Sequence, residues 1–189
     1  MKKTFSLLLL AATSCYCLPV LAQTADETQA WVTYMTPGAI HQMMAKSAGD
    51  WTGKATFWMQ PGAPPTTAEV AAKQEMILGG RYLKSVNTGN MMGMPFEGIG
   101  VTAYDNARKV FITSWIDNMG TGIMTLEGSW DDKSKSITFT GKAVDPMTGK
   151  EAPVKEVIKF VDDNNQVIQM FQQANGKEFK SMEIFSTRK

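Results

Sequence analysis

The sequence predicts an all-β protein: a closed up-and-down antiparallel barrel of about ten strands, preceded by a short N-terminal capping helix. Three observations carry that prediction. From Trp51 onward, apolar and polar residues alternate with period two in ten short runs. The runs are separated by turn chemistry such as "DNAR", "DNMGTG", "DDKSKS", "DNNQ" and "ANGKE". No second helical pattern follows the first, so nothing crosses over a parallel sheet and successive strands must pair as antiparallel neighbours. A meander of this length with two bare edges is an aggregation hazard, and closure into a barrel removes both. A barrel of this size has room inside for a ligand as well as for side chains.

The chain has 189 residues, which suits one domain. It opens "MKKTFSLLLLAATSCYCLPVLAQ". Lys2 and Lys3 form a positive n-region, Phe5 to Ala12 an apolar run too short to span a bilayer, and Val20-Leu21-Ala22 ends on the small residue a signal peptidase needs. Residues 1–22 are therefore expected to be a secretory signal peptide, with cleavage before Gln23 and a periplasmic or secreted product. The alternative is a lipoprotein anchored through Cys15 in "ATSC", although Ala12 stands where leucine is usual. Both cysteines, Cys15 and Cys17, lie in this segment. The mature chain would thus enter an oxidising compartment with no disulfide, held together by its core alone. It would carry 17 basic and 18 acidic residues with no basic cluster, so the electrostatic footprint of nucleic-acid binding is missing. No further apolar run is long enough for a transmembrane helix.

Residues 23–35 read as a flexible lead-in to a domain over residues 36–189. In "TPGAIHQMMAKSAGDW", Thr36 can cap and Pro37 can take the first helical position. Ile40, Met43, Met44 and Ser47 then share a face, and Gly49 is a natural stop, which predicts a helix over about residues 37–48. The ten strands follow: "WTGKATFWMQ", "AEVAAKQEMI", "RYLKSVN", "FEGIGVTAYD", "KVFITSWID", "GIMTLEGSWD", "SITFTGKAV", "VKEVIKFVD", "QVIQMFQQ" and "EFKSMEIFST". "TGNMMGMP" reads as a Met-rich loop between the third and the fourth.

"GDWTG" places Trp51 just after the helix, at the start of strand one. It resembles the Gly-x-Trp signature of calycins, the lipocalin and fatty-acid-binding group. In that group a basic residue at the end of the last strand packs over the tryptophan, and Arg188 stands in the corresponding place. A guanidinium on an indole face would close the barrel bottom by a cation–π contact. A wider resemblance covers nearly the whole mature chain: "PGAIHQMM", "GDWTGKATFWMQPGAPP", "GGRYLKS", "GMPFEGIGVTAYDNARKVFITSWIDNMGTGIM", "DPMTGKE" and "GKEFKSMEIFSTRK" look like the bacterial domain of unknown function 1579. That resemblance implies a calycin-like barrel and no particular reaction. Ala103 replaces the glycine usual before its Tyr-Asp-Asn.

Several chemistries can be weighed residue by residue. His41 is the single histidine, no cysteine is left after cleavage, and there is no Gly-x-Ser-x-Gly elbow, so a hydrolytic triad has little to work with. One histidine is also too few for a zinc site. Some calycin-like barrels hold haem through one histidine, but His41 precedes strand one. Fourteen methionines are an anomaly. Met91, Met92 and Met94, with His41, Met43 and Met44, suggest a Cu(I) carrier if the two groups meet in space; otherwise methionine is an adaptable pocket lining. Asp145, Thr148 and Glu151 in "DPMTGKE" carry oxygens for Ca²⁺, but a Pro-initiated turn explains them better. No cofactor is expected.

What remains is a pocket. Phe111, Thr113, Trp115 and Asp117 share one face, as do Phe96, Gly98, Gly100, Thr102 and Tyr104, and two glycines on a face mark a bend or a close backbone approach. Trp58, Arg81, Glu97, Tyr104, Trp115, Asp117, Met119 and Met124 are the candidate ligand-binding residues: aromatic walls with a few convergent polar groups. "WIDNMGTGIM" would then be a hairpin at the barrel mouth. The functional expectation is a binder of a small hydrophobic or amphipathic molecule. The rival is an enzyme using Glu97 and Asp117 as paired carboxylates, which requires the two to converge.

Overall fold

A computed structural model describes residues 24–189, so the signal-peptide reading and Cys15 lie outside the described residues. Ten strands form a closed barrel in which every neighbour in sequence is a neighbour in space and the last strand pairs with the first. They are β1 (Gly49–Phe57), β2 (Thr66–Ile77), β3 (Tyr82–Met91), β4 (Met94–Asp105), β5 (Val110–Asp117), β6 (Met124–Asp131), β7 (Ser136–Asp145), β8 (Lys150–Asp162), β9 (Asn165–Ala174) and β10 (Lys177–Arg188). Pairing is antiparallel throughout, and the closing seam runs from Trp51↔Arg188 to Phe57↔Met182.

Two helices precede the barrel, where one was expected. The segment 23–35, expected to be a flexible lead-in, forms α1 (Ala25–Met35). A capping box starts it: Thr24 Oγ accepts from the Glu27 N–H while the Glu27 carboxylate accepts from the Thr24 N–H. The carbonyls at its other end are met from the barrel. Asn106 Nδ2 donates to the Thr33, Tyr34 and Thr36 carbonyls, and Arg81 Nη2 donates to the Met35 carbonyl at 2.8 Å. Isolated polar patterning hid this helix because its tethers come from residues 46 to 73 positions away.

The capping helix, α2 (Ala39–Ala45), is shorter than the predicted 37–48, and Gly38 rather than Thr36 is its N-cap. His41 supplies the cap that glycine lacks: its Nδ1 accepts from the Gly38 N–H at 3.1 Å. The ring is buried against Tyr104, at 6.1 Å between centroids and nearly perpendicular. Burial and the nearby Arg81 charge hold its pKa below the ordinary histidine value.

At the same end, Trp51 and Arg188 close the barrel. The Arg188 guanidinium lies over the Trp51 ring at 4.4 Å. Trp51 is buried, with its indole N–H donated to the Ser47 carbonyl at 2.9 Å. Arg188 also donates to the Lys46, Ala48 and Asp163 carbonyls, so one side chain ties the loop after α2 to the β8–β9 turn. The buried core, Met44, Phe111, Leu126, Ile137, Phe139 and Val154, joins α2 to β5–β8. One end of the barrel is thereby plugged.

At the far end, "TGNMMGMP" is no loop. β3 runs through Met91 and β4 begins at Met94, joined by a two-residue turn with φ of +53° at Met92 and +83° at Gly93. Both residues have positive φ, the condition for the tight turn whose twist matches paired strands. "DPMTGKE" is a turn as expected: Asp145 accepts from the Met147 N–H and the Thr148 hydroxyl, and Glu151 pairs with Lys142.

Candidate functional site

On β4 and β5 the inward face follows the alternation of the strand. On β4 it carries Phe96, Gly98, Gly100 and Thr102; on β5, Thr113, Trp115 and Asp117. These residues wall a cavity of about 330 Å³, within the range of small-molecule sites. Six methionines line it, Met44, Met91, Met119, Met124, Met170 and Met182, so much of the wall is flexible and polarizable.

Gly98 and Gly100 explain the position of Trp115. Each pairs across the strand with an inward residue of β5, Gly98 with Asp117 and Gly100 with Trp115. A Cβ on Gly98 would overlap the Trp115 ring, and one on Gly100 would touch it at 3.4 Å. The glycines leave a flat seat on which the indole lies along the wall rather than across the cavity. Phe96 stacks beside it, 6.4 Å between centroids. Asp117 fixes the ring from the other side, accepting from Trp115 Nε1 at 2.7 Å and from the Met119 N–H at 2.9 Å. Asp117 is thus both a turn anchor and an indole clamp.

Four predicted residues come together here: Trp115, Asp117, Met119 and Met124 all line the cavity. The hairpin that carries them lies at the end opposite α2, as read from "WIDNMGTGIM". The hairpins at that end also expose Met59, Met92, Met119, Ile123 and Met147, giving the rim an apolar edge.

The other four lie elsewhere. Trp58 follows β1 outside the lining, under Lys180 Nζ at 5.1 Å from its ring centre. Arg81 is exposed and serves α1, as described. Tyr104 faces inward but below the cavity, in the plug, where it packs on Phe111 at 4.9 Å. Glu97 is exposed on the outer face of β4, one residue out of phase with the lining residues Phe96 and Gly100. The paired-carboxylate enzyme therefore fails: Glu97 points out where Asp117 points in. The Cu(I) reading fails on topology. Met91, Met92 and Met94 form the β3–β4 turn at the rim, whereas His41 and Met44 sit on the helix that plugs the other end. His41 does not line the cavity, so its imidazole is not placed to hold haem there.

Among the lining residues the sequence reading did not single out, one carries a charge. Glu156, on the inner face of β8, lines the cavity. Its cross-strand partners are Phe139 on β7 and Met170 on β9, and Val154 and Ile158 flank it along the strand. No described residue donates a hydrogen bond to its carboxyl, and desolvation alone raises its pKa to about 7. The signal was in "VKEVIKFVD". Lys155 and Lys159 mark the outer face, which leaves Val154, Glu156, Ile158 and Phe160 as an apolar row broken by one carboxyl.

The class this defines is a closed ten-strand antiparallel barrel with a plugged base and an internal, mainly apolar cavity. Residues 36–188 match the model of DUF1579, a family described as proteins of unknown function, and the chain belongs to that family. Among solved structures it is similar to Rv2717c from M. tuberculosis, with a TM-score of 0.61 and 14% identity, over 82% of this chain and 99% of that one. At that identity the likeness concerns the fold. No curated protein matches the chain. Among the described residues, no helix is long and apolar enough to cross a membrane. No three His, Cys, Asp or Glu side chains among them form a metal-binding group.

Proposed function

We propose that this protein binds a small, mainly apolar molecule inside the barrel and that the mature chain, from Gln23 onward, does so in the periplasm or outside the cell. The carrying observation is the cavity itself: about 330 Å³, walled chiefly by apolar side chains, plugged by α2 at one end and bordered by apolar residues at the other. An apolar guest gains by leaving water for such a wall, at roughly 25 cal/mol per Å² buried. The six lining methionines let the wall adapt to guests of differing shape. Trp115 gives the guest a flat aromatic face held in place by Asp117.

The test is titration with the neutral fluorescent probe N-phenyl-1-naphthylamine, followed by displacement with decanol. The expected result is saturable one-to-one enhancement that decanol reverses. Ser85→Phe, which puts a ring into the cavity beside Gly100, is expected to weaken the probe by about tenfold or more through lost volume. Equal probe binding by the parent and the blocked variant would place the probe on the outer surface and defeat the reading.

A further inference from the structure

The chemistry of the wall says more about the guest. Two ionisable side chains face the cavity, Asp117 and Glu156, and both are acids; no lysine, arginine or histidine lines it. Asp117 stands near the rim with both oxygens engaged, one by the Trp115 indole and one by the Met119 N–H. Glu156 lies further along the barrel between Phe139 and Met170, and no described residue donates to its carboxyl. A lone carboxyl in an apolar wall is a cost to the empty protein, because its charged form is left without a partner. Desolvation in that wall pushes its pKa up. A counter-charge brought by the ligand would remove that cost and add a charge-assisted hydrogen bond.

We propose that the barrel selects apolar molecules bearing a cationic amine, with the ammonium group paired to Glu156 and the hydrocarbon part lying against Trp115, Phe96 and the methionines. This deepens the proposed function and rests on it. The same wall disfavours a fatty-acid carboxylate, which would meet two like charges and no basic partner. Asp117, first on the path from the rim, carries the charge that draws a cation inward.

The experiment is calorimetric titration of the purified protein at pH 8 with decylamine, decanol and decanoate, each below its micelle concentration. At this pH both the amine and Glu156 are charged. Decylammonium is expected to bind about tenfold or more tightly than decanol, and decanoate about tenfold or more weakly. In Glu156→Gln, the preference of decylammonium over decanol is expected to shrink to about threefold or less. Decanol binding with no amine preference would overturn the Glu156 proposal while leaving the apolar-cavity reading in place. An amine preference kept in full by Glu156→Gln would also overturn it, since the charge would then act from elsewhere. Binding of none of the three would overturn both. Should the variant not fold, the parent's ranking of amine, alcohol and acid still decides.

Discussion

Trp51→Ala is expected to lower the free energy of unfolding by about 3–5 kcal/mol, the cost of emptying a buried aromatic site. The residue is 3% exposed and sits at the seam where β1 meets β10. Its removal loses the ring's burial, the hydrogen bond to the Ser47 carbonyl and the surface on which Arg188 rests. The Arg188 guanidinium would keep its carbonyl partners but lie over a void. Urea denaturation followed by far-ultraviolet circular dichroism measures the loss. Trp31→Ala is the control: Trp31 is 54% exposed on α1, so its loss is expected within about 0.5 kcal/mol of the parent. A Trp51 variant as stable as the Trp31 variant would mean that the seam is not held there.

Glu156→Gln is expected to stabilise the protein at pH 8 and to leave it little changed at pH 4. The sign follows from linkage. The folded-state pKa, about 7, lies above the ordinary glutamate value of 4.5, so between those values the folded state holds more protons than the unfolded one. The stability linked to this group is fully present below pH 4.5 and is lost as pH rises through 7. The full shift corresponds to about 3 kcal/mol. The other titratable group on the cavity wall is Asp117, and the residues paired with Glu156 from β7 and β9 are apolar, so no lysine, arginine or histidine on that wall offsets the change. His41 acts in the opposite direction. Its folded pKa is lowered, so its contribution is whole above pH 6.5 and is lost as pH falls below that value. Comparing parent and variant at each pH cancels the His41 effect and isolates Glu156. Thermal melts from pH 4 to 8 are expected to converge at the acid end and separate toward pH 8. Parallel curves would show that Glu156 is solvated or paired.

Much of the barrel was legible because its rules are local. Period two, turn residues and the lack of a second amphipathic helix led to ten antiparallel strands, all of which are present. Trp51 and Arg188 were legible as a pair through the resemblance of "GDWTG" and the terminal arginine to the calycin pattern, and the two meet at the seam. Gly98 and Gly100 announced a close approach, and the approaching group is Trp115. Where the reading missed, long-range contacts decided the outcome. α1 is held by Asn106 and Arg81, which no local pattern connects to it. Glu97 was taken for a pocket residue and Glu156 was passed over because several strands mix apolar and polar residues on both faces. The inward face of β4 becomes clear only once Gly98 is seen against β5. Trp58 and Arg81 have the chemistry of pocket residues, but Trp58 is one residue out of phase with the lining residue Phe57 and Arg81 lies in the β2–β3 turn at the plugged end.

The proposed function requires that the barrel hold a guest. The most direct measurement is native mass spectrometry of the protein purified gently from its own cells, repeated after denaturation. The expected result is a mass excess in the native spectrum that disappears on unfolding, with a released species that is apolar and carries an amine. A native mass equal to that of the bare polypeptide, in a preparation never exposed to detergent or organic solvent, would contradict it.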